Sequence, residues 1–223
     1  MTWTPGWAGR TGATMPPSAE PAAPVRAAGR LRRFTGAERW VHRITAALMG
    51  VLLVTAACLY LPPLAELVGR RRLVTTVHEW AGLALPVPLL AGLASRALRA
   101  DLGRLNRFAP YDRGWIRAAL RGRHRPSGKF NAGQKAYAAL VAGAALVLLG
   151  TGLILWFPRV VPVPWRTGAT FVHDWTALFV GVLVLGHVVL AARDPEARRA
   201  LRTGYASRAW ARREHPLWDD EKS

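Results

Sequence analysis

Residues 171–187 read FVHDWTALFVGVLVLGH, with His173 and His187 fourteen residues apart in an otherwise apolar run. As a helix this run rises about 21 Å between the two histidines, and fourteen steps of about 100° return to nearly the same face. The two imidazoles therefore point the same way at two depths. That spacing suits two separate objects held one above the other.

Runs of this kind recur. Of the 223 residues, 51% are hydrophobic, and they gather in four segments at 38–61, 73–98, 132–157 and 167–192. Each reaches the roughly 20 residues that cross a ~30 Å hydrocarbon core. Helices are the expected form, because lipid leaves the backbone of an open strand unsatisfied. Pro62 and Pro63 stop the first segment, and Pro86 and Pro88 predict a kink in the second. The expected fold is all-α: an integral membrane four-helix bundle over residues 31–193. A disordered Pro/Ala-rich lead without a signal-type apolar region is expected at 1–30, and a basic tail at 194–223.

With 31 Lys and Arg against 13 acids, the formal net charge is +18. Such a balance suits nucleic acid or an anionic membrane surface. Here the charges flank apolar runs and form no basic face with interleaved aromatics, which favours the membrane and argues against nucleic acid. Seven Arg lie up to Arg43, eleven Lys or Arg between Arg96 and Lys135, and eight from Arg193 onward. The remaining loops hold only Arg70, Arg71, Arg72, Arg159 and Arg166. The positive-inside rule then places both termini and the central loop in the cytoplasm of a cell whose inner (plasma) membrane the chain crosses four times. Trp40, Tyr60, Trp80, Trp156, Trp165 and Trp175 fall near segment ends, as interfacial belts do. Cys58 is alone, which excludes an intramolecular disulfide; no C-x-x-C-H is present, and a packing role is expected.

Four of six histidines lie in the expected spans, and depth sorts them into two pairs: His42 with His187, and His78 with His173. Two imidazoles on facing helices can ligate a haem iron from both sides in a bundle interior. Singly, each could instead be a packing residue or part of a proton path. Zinc fits less well, because its close-spaced ligand sets are missing. Two bis-histidine haems about 20 Å apart along the axis would form a transmembrane electron wire. A haem-free anchor or small transporter is the alternative from another class. Gly50, Gly82, Gly181 and Gly186 would let a flat macrocycle approach or simply pack helices. His124 and His215 read as surface residues. In the repeated triplets HEW (78–80) and HDW (173–175), Glu79 and Asp174 point about 100° away from the histidines, toward a partner, the outer-loop arginines or solvent.

The stretch GKFNAGQK (128–135), with RFTGAERWVHRITA (33–46) and WARREHPLW (210–218), resembles the γ, or cytochrome b, subunit of membrane-bound formate dehydrogenases over most of 33–221. The resemblance implies a four-helix dihaem cytochrome b of a respiratory chain. It would take electrons from an iron–sulfur β subunit, whose molybdopterin-containing α partner oxidises formate, and pass them to a quinone. By the same resemblance His78 and His173 bind the outer haem and His42 and His187 the inner one, with a quinone site at Asn131 and Gln134. Asn131 offers an amide donor to a quinone carbonyl, or caps the third helix. Lys129 and Lys135 add positive potential there, or serve as interfacial anchors. Where the family tends to carry two adjacent histidines near its end, this chain has Glu214 before His215, and its proline-rich lead is extra; both put the cytoplasmic surface in doubt. The cytochrome b subunit of a hydrogenase or of another molybdopterin oxidoreductase is the near alternative.

Overall fold

In a computed structural model, residues 29–123 and 126–218 are described. The lead expected at 1–30 lies outside them apart from its last two positions, as do His124 and residues 219–223. The elements are β1 (Arg30–Arg32), α1 (Gly36–Tyr60), α2 (Pro62–Val68), α3 (Arg71–Ala84), α4 (Val87–Gly92), α5 (Arg96–Leu105), α6 (Pro110–Ala119), α7 (Ala132–Trp156), α8 (Val163–Arg193), α9 (Pro195–Thr203), β2 (Tyr205–Ser207) and α10 (Arg208–Glu214).

Four stretches are long and apolar enough to cross a membrane: Gly36–Tyr60, Arg71–Gly92, Ala132–Trp156 and Val163–Arg193. Their ends follow local chemistry. At α1, Thr35 Oγ1 accepts from the Glu38 amide at 3.4 Å while Glu38 Oε2 accepts from the Thr35 amide at 2.6 Å. Asn131 and Gln134 repeat this reciprocal cap at α7, at 2.9 and 3.0 Å. α1 ends before Pro62 and Pro63, which lack an N–H and open α2 instead.

The second span is broken between α3 and α4. Pro86 cannot donate to the Gly82 carbonyl, and the Leu85 amide does so at 3.3 Å. The fourth span starts at Val163, earlier than 167, because Pro164 sits in the first turn, where no amide donor is required.

α1 packs on α3 and α4, and α7 packs on α8, so the spans form two helical hairpins. The hairpins meet at mid-depth in a layer of Met49, Ala144 and Val180, backed by Leu53, Leu85, Leu148 and Val184.

The basic C-terminal segment expected as a tail folds from Pro195 to Glu214. β2 pairs antiparallel with β1, setting Leu31 opposite Ala206. Ala200, Ala206, Trp210, Ala211 and Trp218 form a second core with Leu31, Phe34 and Ala197. The Arg33 guanidinium stands 4.6 Å from the Trp210 ring and 5.7 Å from the Trp218 ring, and donates to the Lys129 carbonyl at 3.1 Å. The Gly204 carbonyl accepts from the amides of Arg33 and Phe34, at 2.8 and 3.1 Å. This cap ties the entry of α1, the approach to α7 and the C-terminus together. Composition concealed it, because its apolar residues are few and scattered among arginines.

Gly204 has φ +92°, and an added Cβ would stand 2.8 Å from the Phe34 carbonyl oxygen. Gly204→Ala is expected to cost about 1–3 kcal/mol, read as a lower thermal midpoint of detergent-solubilised protein. Gly103→Ala, in α5 where an added Cβ meets nothing within 4 Å, is expected to hold or raise it.

Candidate functional site

The four histidines of the spans meet in two tiers. The ring centroids of His42 (α1) and His187 (α8) lie 6.4 Å apart, and those of His78 (α3) and His173 (α8) lie 6.2 Å apart. The apolar layer around Val180, seven residues from each histidine of α8, separates the tiers.

The tiers differ in what holds their rings. Thr55 Oγ1 lies 2.8 Å from His78 Nδ1, and Thr151 Oγ1 lies 2.9 Å from His173 Nδ1. In the other tier His187 stacks on Tyr137 of α7, centroids 4.7 Å apart and planes 13° from parallel.

Sequence reasoning missed Thr55, Thr151 and Tyr137, though a signal for the threonines exists. LLVTAACLYLP (52–62) and LLGTGLILWFP (148–158) align, as do VHEW (77–80) and VHDW (172–175). The chain thus carries an internal repeat at an offset of about 95 residues, one copy per hairpin. The copies also contact each other: Tyr60 of the first donates to Asp174 Oδ2 of the second at 2.9 Å, and Trp156 of the second meets Trp80 of the first edge-on at 5.6 Å. Asp174 therefore serves the bundle itself. A Cβ added at Gly82 or Gly181 would stand 3.7 Å from the Leu52 or Leu53 side chain, whereas one added at Gly50 or Gly186 would meet nothing within 4 Å.

Asn131 and Gln134 line a cleft of about 170 Å³ with Trp115, Asp194, Trp210 and His215. Each spends its side-chain oxygen on the cap of α7, which leaves both amide NH2 groups as donors. Asp194 lies seven residues past His187, about 10 Å along α8.

Lys129 and Lys135 are not interfacial anchors. Lys135 is buried against Asp112, at 2.7 Å, and Lys129 is buried against Asp101, with Glu38 at 3.6 Å. Each takes its partner from the central segment, where acids are scarce, which hid the pairing. Burial and a hydrogen bond with Glu38 raise Asp101 to about 6, against the pull of Lys129.

His215 is likewise no surface residue. It is 5% exposed, and its Nδ1–H donates to the Gly128 carbonyl at 2.7 Å. The motifs at 128–135 and 210–218 are thus two halves of one packed contact.

Comparison with known proteins adds three findings. The profile of the prokaryotic cytochrome b561 family matches residues 33–203, and the chain belongs to that family. It is 26% identical over 195 residues to the formate dehydrogenase cytochrome b556(fdo) subunit of Escherichia coli strain K12, covering 83% of this chain and 90% of that one. It is 33% identical over 101 residues to the formate dehydrogenase cytochrome b556 subunit of Haemophilus influenzae, covering 43% and 42%. The chain is a multi-pass membrane cytochrome, and haem b is its cofactor.

The tiers fit that group. Ring centroids 6.4 and 6.2 Å apart leave room for one metal ion between each pair at a metal–imidazole distance of about 2 Å, the value for zinc, so His42 with His187 and His78 with His173 would each hold a haem iron from both sides. Among the described residues no cluster of three or more His, Cys, Asp or Glu is present to complete a protein-only metal site. Two imidazole nitrogens would suffice for haem, whose macrocycle would supply the iron's remaining ligands.

Burial, and then the Arg33 charge, push His215 down from 6.5 to about 4. The neutral ring is the folded form. Its stabilisation is complete above 6.5 and is lost as pH falls toward 4, at about 1 kcal/mol per pH unit. Asp101, raised, contributes with opposite sign over part of the same window. The difference in thermal midpoint between wild type and His215→Asn should therefore shrink steadily from pH 6.5 to pH 4. A constant difference would assign His215 no titration in that window.

Proposed function

We propose that this member of the cytochrome b561 family carries two b haems, at His42–His187 and His78–His173, and is the membrane subunit of a formate dehydrogenase. In this reading an iron–sulfur subunit, fed by a molybdopterin-containing subunit, delivers electrons at the His78–His173 side. A quinone is reduced at the Asn131–Gln134 cleft. The observation that carries it is the pair of ring separations, 6.4 and 6.2 Å, on helices that cross a membrane. The formate dehydrogenase names of the curated relatives support the partner assignment. Bound at the tiers, the two haems would supply one-electron relay between the two membrane faces.

The protein's own groups suit the remaining tasks. The Asn131 and Gln134 amides can donate to a quinone carbonyl without giving up the cap of α7. Asp101, with a pKa of about 6, is a carboxyl paired with Lys129 just before α7 that can hold a proton near neutral pH. The concentration of Lys and Arg at the termini and central loop supports a cytoplasmic cap. Protons for the quinone would then be drawn from the cytoplasm while formate is oxidised outside.

Protein purified in mild detergent should hold two b haems per chain by pyridine haemochrome assay. His42→Ala and His187→Ala should each remove one and abolish quinone reduction, leaving the other haem reducible. His78→Ala and His173→Ala should each remove that other haem. One haem in wild type, or loss of the same haem in His42→Ala and His78→Ala, would overturn the pairing.

Asn131→Asp keeps the cap oxygen and removes the NH2 donor. It should slow quinone reduction about tenfold, the order of one lost hydrogen bond, with haem content and thermal midpoint unchanged.

A further inference from the structure

We infer that Thr55 and Thr151 are positioning residues that fix the tautomers of His78 and His173. They thereby present Nε2 of each ring as the ligand atom and hold that tier at a lower reduction potential than the His42–His187 tier. This rests on the reading that both tiers ligate haem, and adds residues and an ordering that the reading does not contain.

The direction of each hydrogen bond follows from proton counting. Thr55 Oγ1 lies 2.7 Å from the Val51 carbonyl and 3.1 Å from the Leu52 carbonyl. A carbonyl only accepts, so the single hydroxyl proton is turned toward the helix backbone. What remains to face His78 Nδ1 is a lone pair, and Nδ1 must carry the hydrogen. In a neutral imidazole Nε2 then holds the free lone pair. The same count applies at Thr151, whose Oγ1 lies 2.7 Å from the Val147 carbonyl and 3.2 Å from the Leu148 carbonyl, opposite His173 Nδ1. The device is built twice, on matching copies of the internal repeat.

Donation from Nδ1–H to an acceptor raises electron density at Nε2 and makes it a more basic ligand. The hydroxyl's own bond to a carbonyl strengthens it as an acceptor. A more basic ligand favours the more oxidised iron, so this tier's potential falls. His42 and His187 have no hydrogen-bond partner among the described residues, and their ligand basicity is not raised this way. The threonines therefore set the two tiers apart in the sense that drives electrons from His78–His173 toward His42–His187.

The test is a redox titration of the haem absorption bands of the full-length purified protein. The His78→Ala variant identifies which of two steps belongs to its tier. In Thr55→Val/Thr151→Val the step of the His78–His173 tier should move to higher potential while the other stays. Glu79, Asp174 and the Leu52 and Leu148 carbonyls, which also act on the two imidazoles, are unchanged in this variant and cannot cause the move. Thr55→Ser/Thr151→Ser, which keeps both hydroxyls, should titrate as wild type. Loss of that tier's haem in the valine variant, restored by serine, also supports the inference. Unchanged potentials with both haems retained would overturn it, as would a serine variant that behaves like the valine one. Wild-type protein lacking haem at the His78–His173 tier would instead defeat the ligation reading beneath it.

Discussion

A polar group in hydrocarbon is tolerated only with a partner, and this chain's spans are organised around that requirement. Backbone amides meet it by forming helices, which is why four long apolar runs become four spans. At the His78–His173 tier side chains meet it by pairing. Thr55 and Thr151 turn their hydroxyl protons to their own helices and their lone pairs to histidines on the neighbouring helix of the same hairpin. Each hairpin thus carries one Thr–His bond near the same end. The histidine of one hairpin then faces that of the other, with Nε2 left as the nitrogen still lacking a partner.

What was legible in the sequence follows from the same requirement. Lipid demands long uninterrupted runs, so four spans could be read, although the second ends at Gly92 rather than at 98 and the fourth starts at Val163 rather than at 167; the kink at Pro86 could also be expected. The four histidines could be sorted by depth, because position along a span is position across the membrane. The threonines were not legible in that way. A threonine in an apolar helix ordinarily bonds its own backbone, and only the facing helix reveals a second partner. The internal repeat was a signal, but its copies share few identities outside the LL-x-T and V-H-acid-W cores.

The cap was hidden for a different reason. It is held by contacts between distant parts of the chain, Arg33 on Trp210, Ser127 on Glu214 and Lys135 on Asp112. No periodicity announces such contacts. Arginine and lysine read from composition as solvated charge, whereas here an aromatic cage and two buried carboxylates take up three of them. His215 illustrates the same lesson: a histidine in a basic stretch reads as exposed, yet Gly128 and Trp210 enclose it.

Between the tiers the bundle is bare of titratable groups. Residues 44–57 of α1, 81–92 of α3 and α4, 138–150 of α7 and 175–186 of α8 contain no Asp, Glu, His, Lys, Arg, Tyr or Cys. At mid-depth Met49, Ala144 and Val180 close the interior. A proton needs a chain of hydrogen-bonding groups to cross such a slab, and the packed layer offers none. An electron needs only two redox sites close enough to exchange it. On the proposed function the two charges would therefore be separated by construction: one would pass through the layer around Val180, and the other would be supplied at the face where the quinone is reduced. That face would be the one where the chain has gathered Glu38, Asp101, Lys129 and His215 into a folded cap; among the described residues the buried charged side chains Arg33, Glu38, Asp101, Asp112, Lys129 and Lys135 all lie at that end of the bundle.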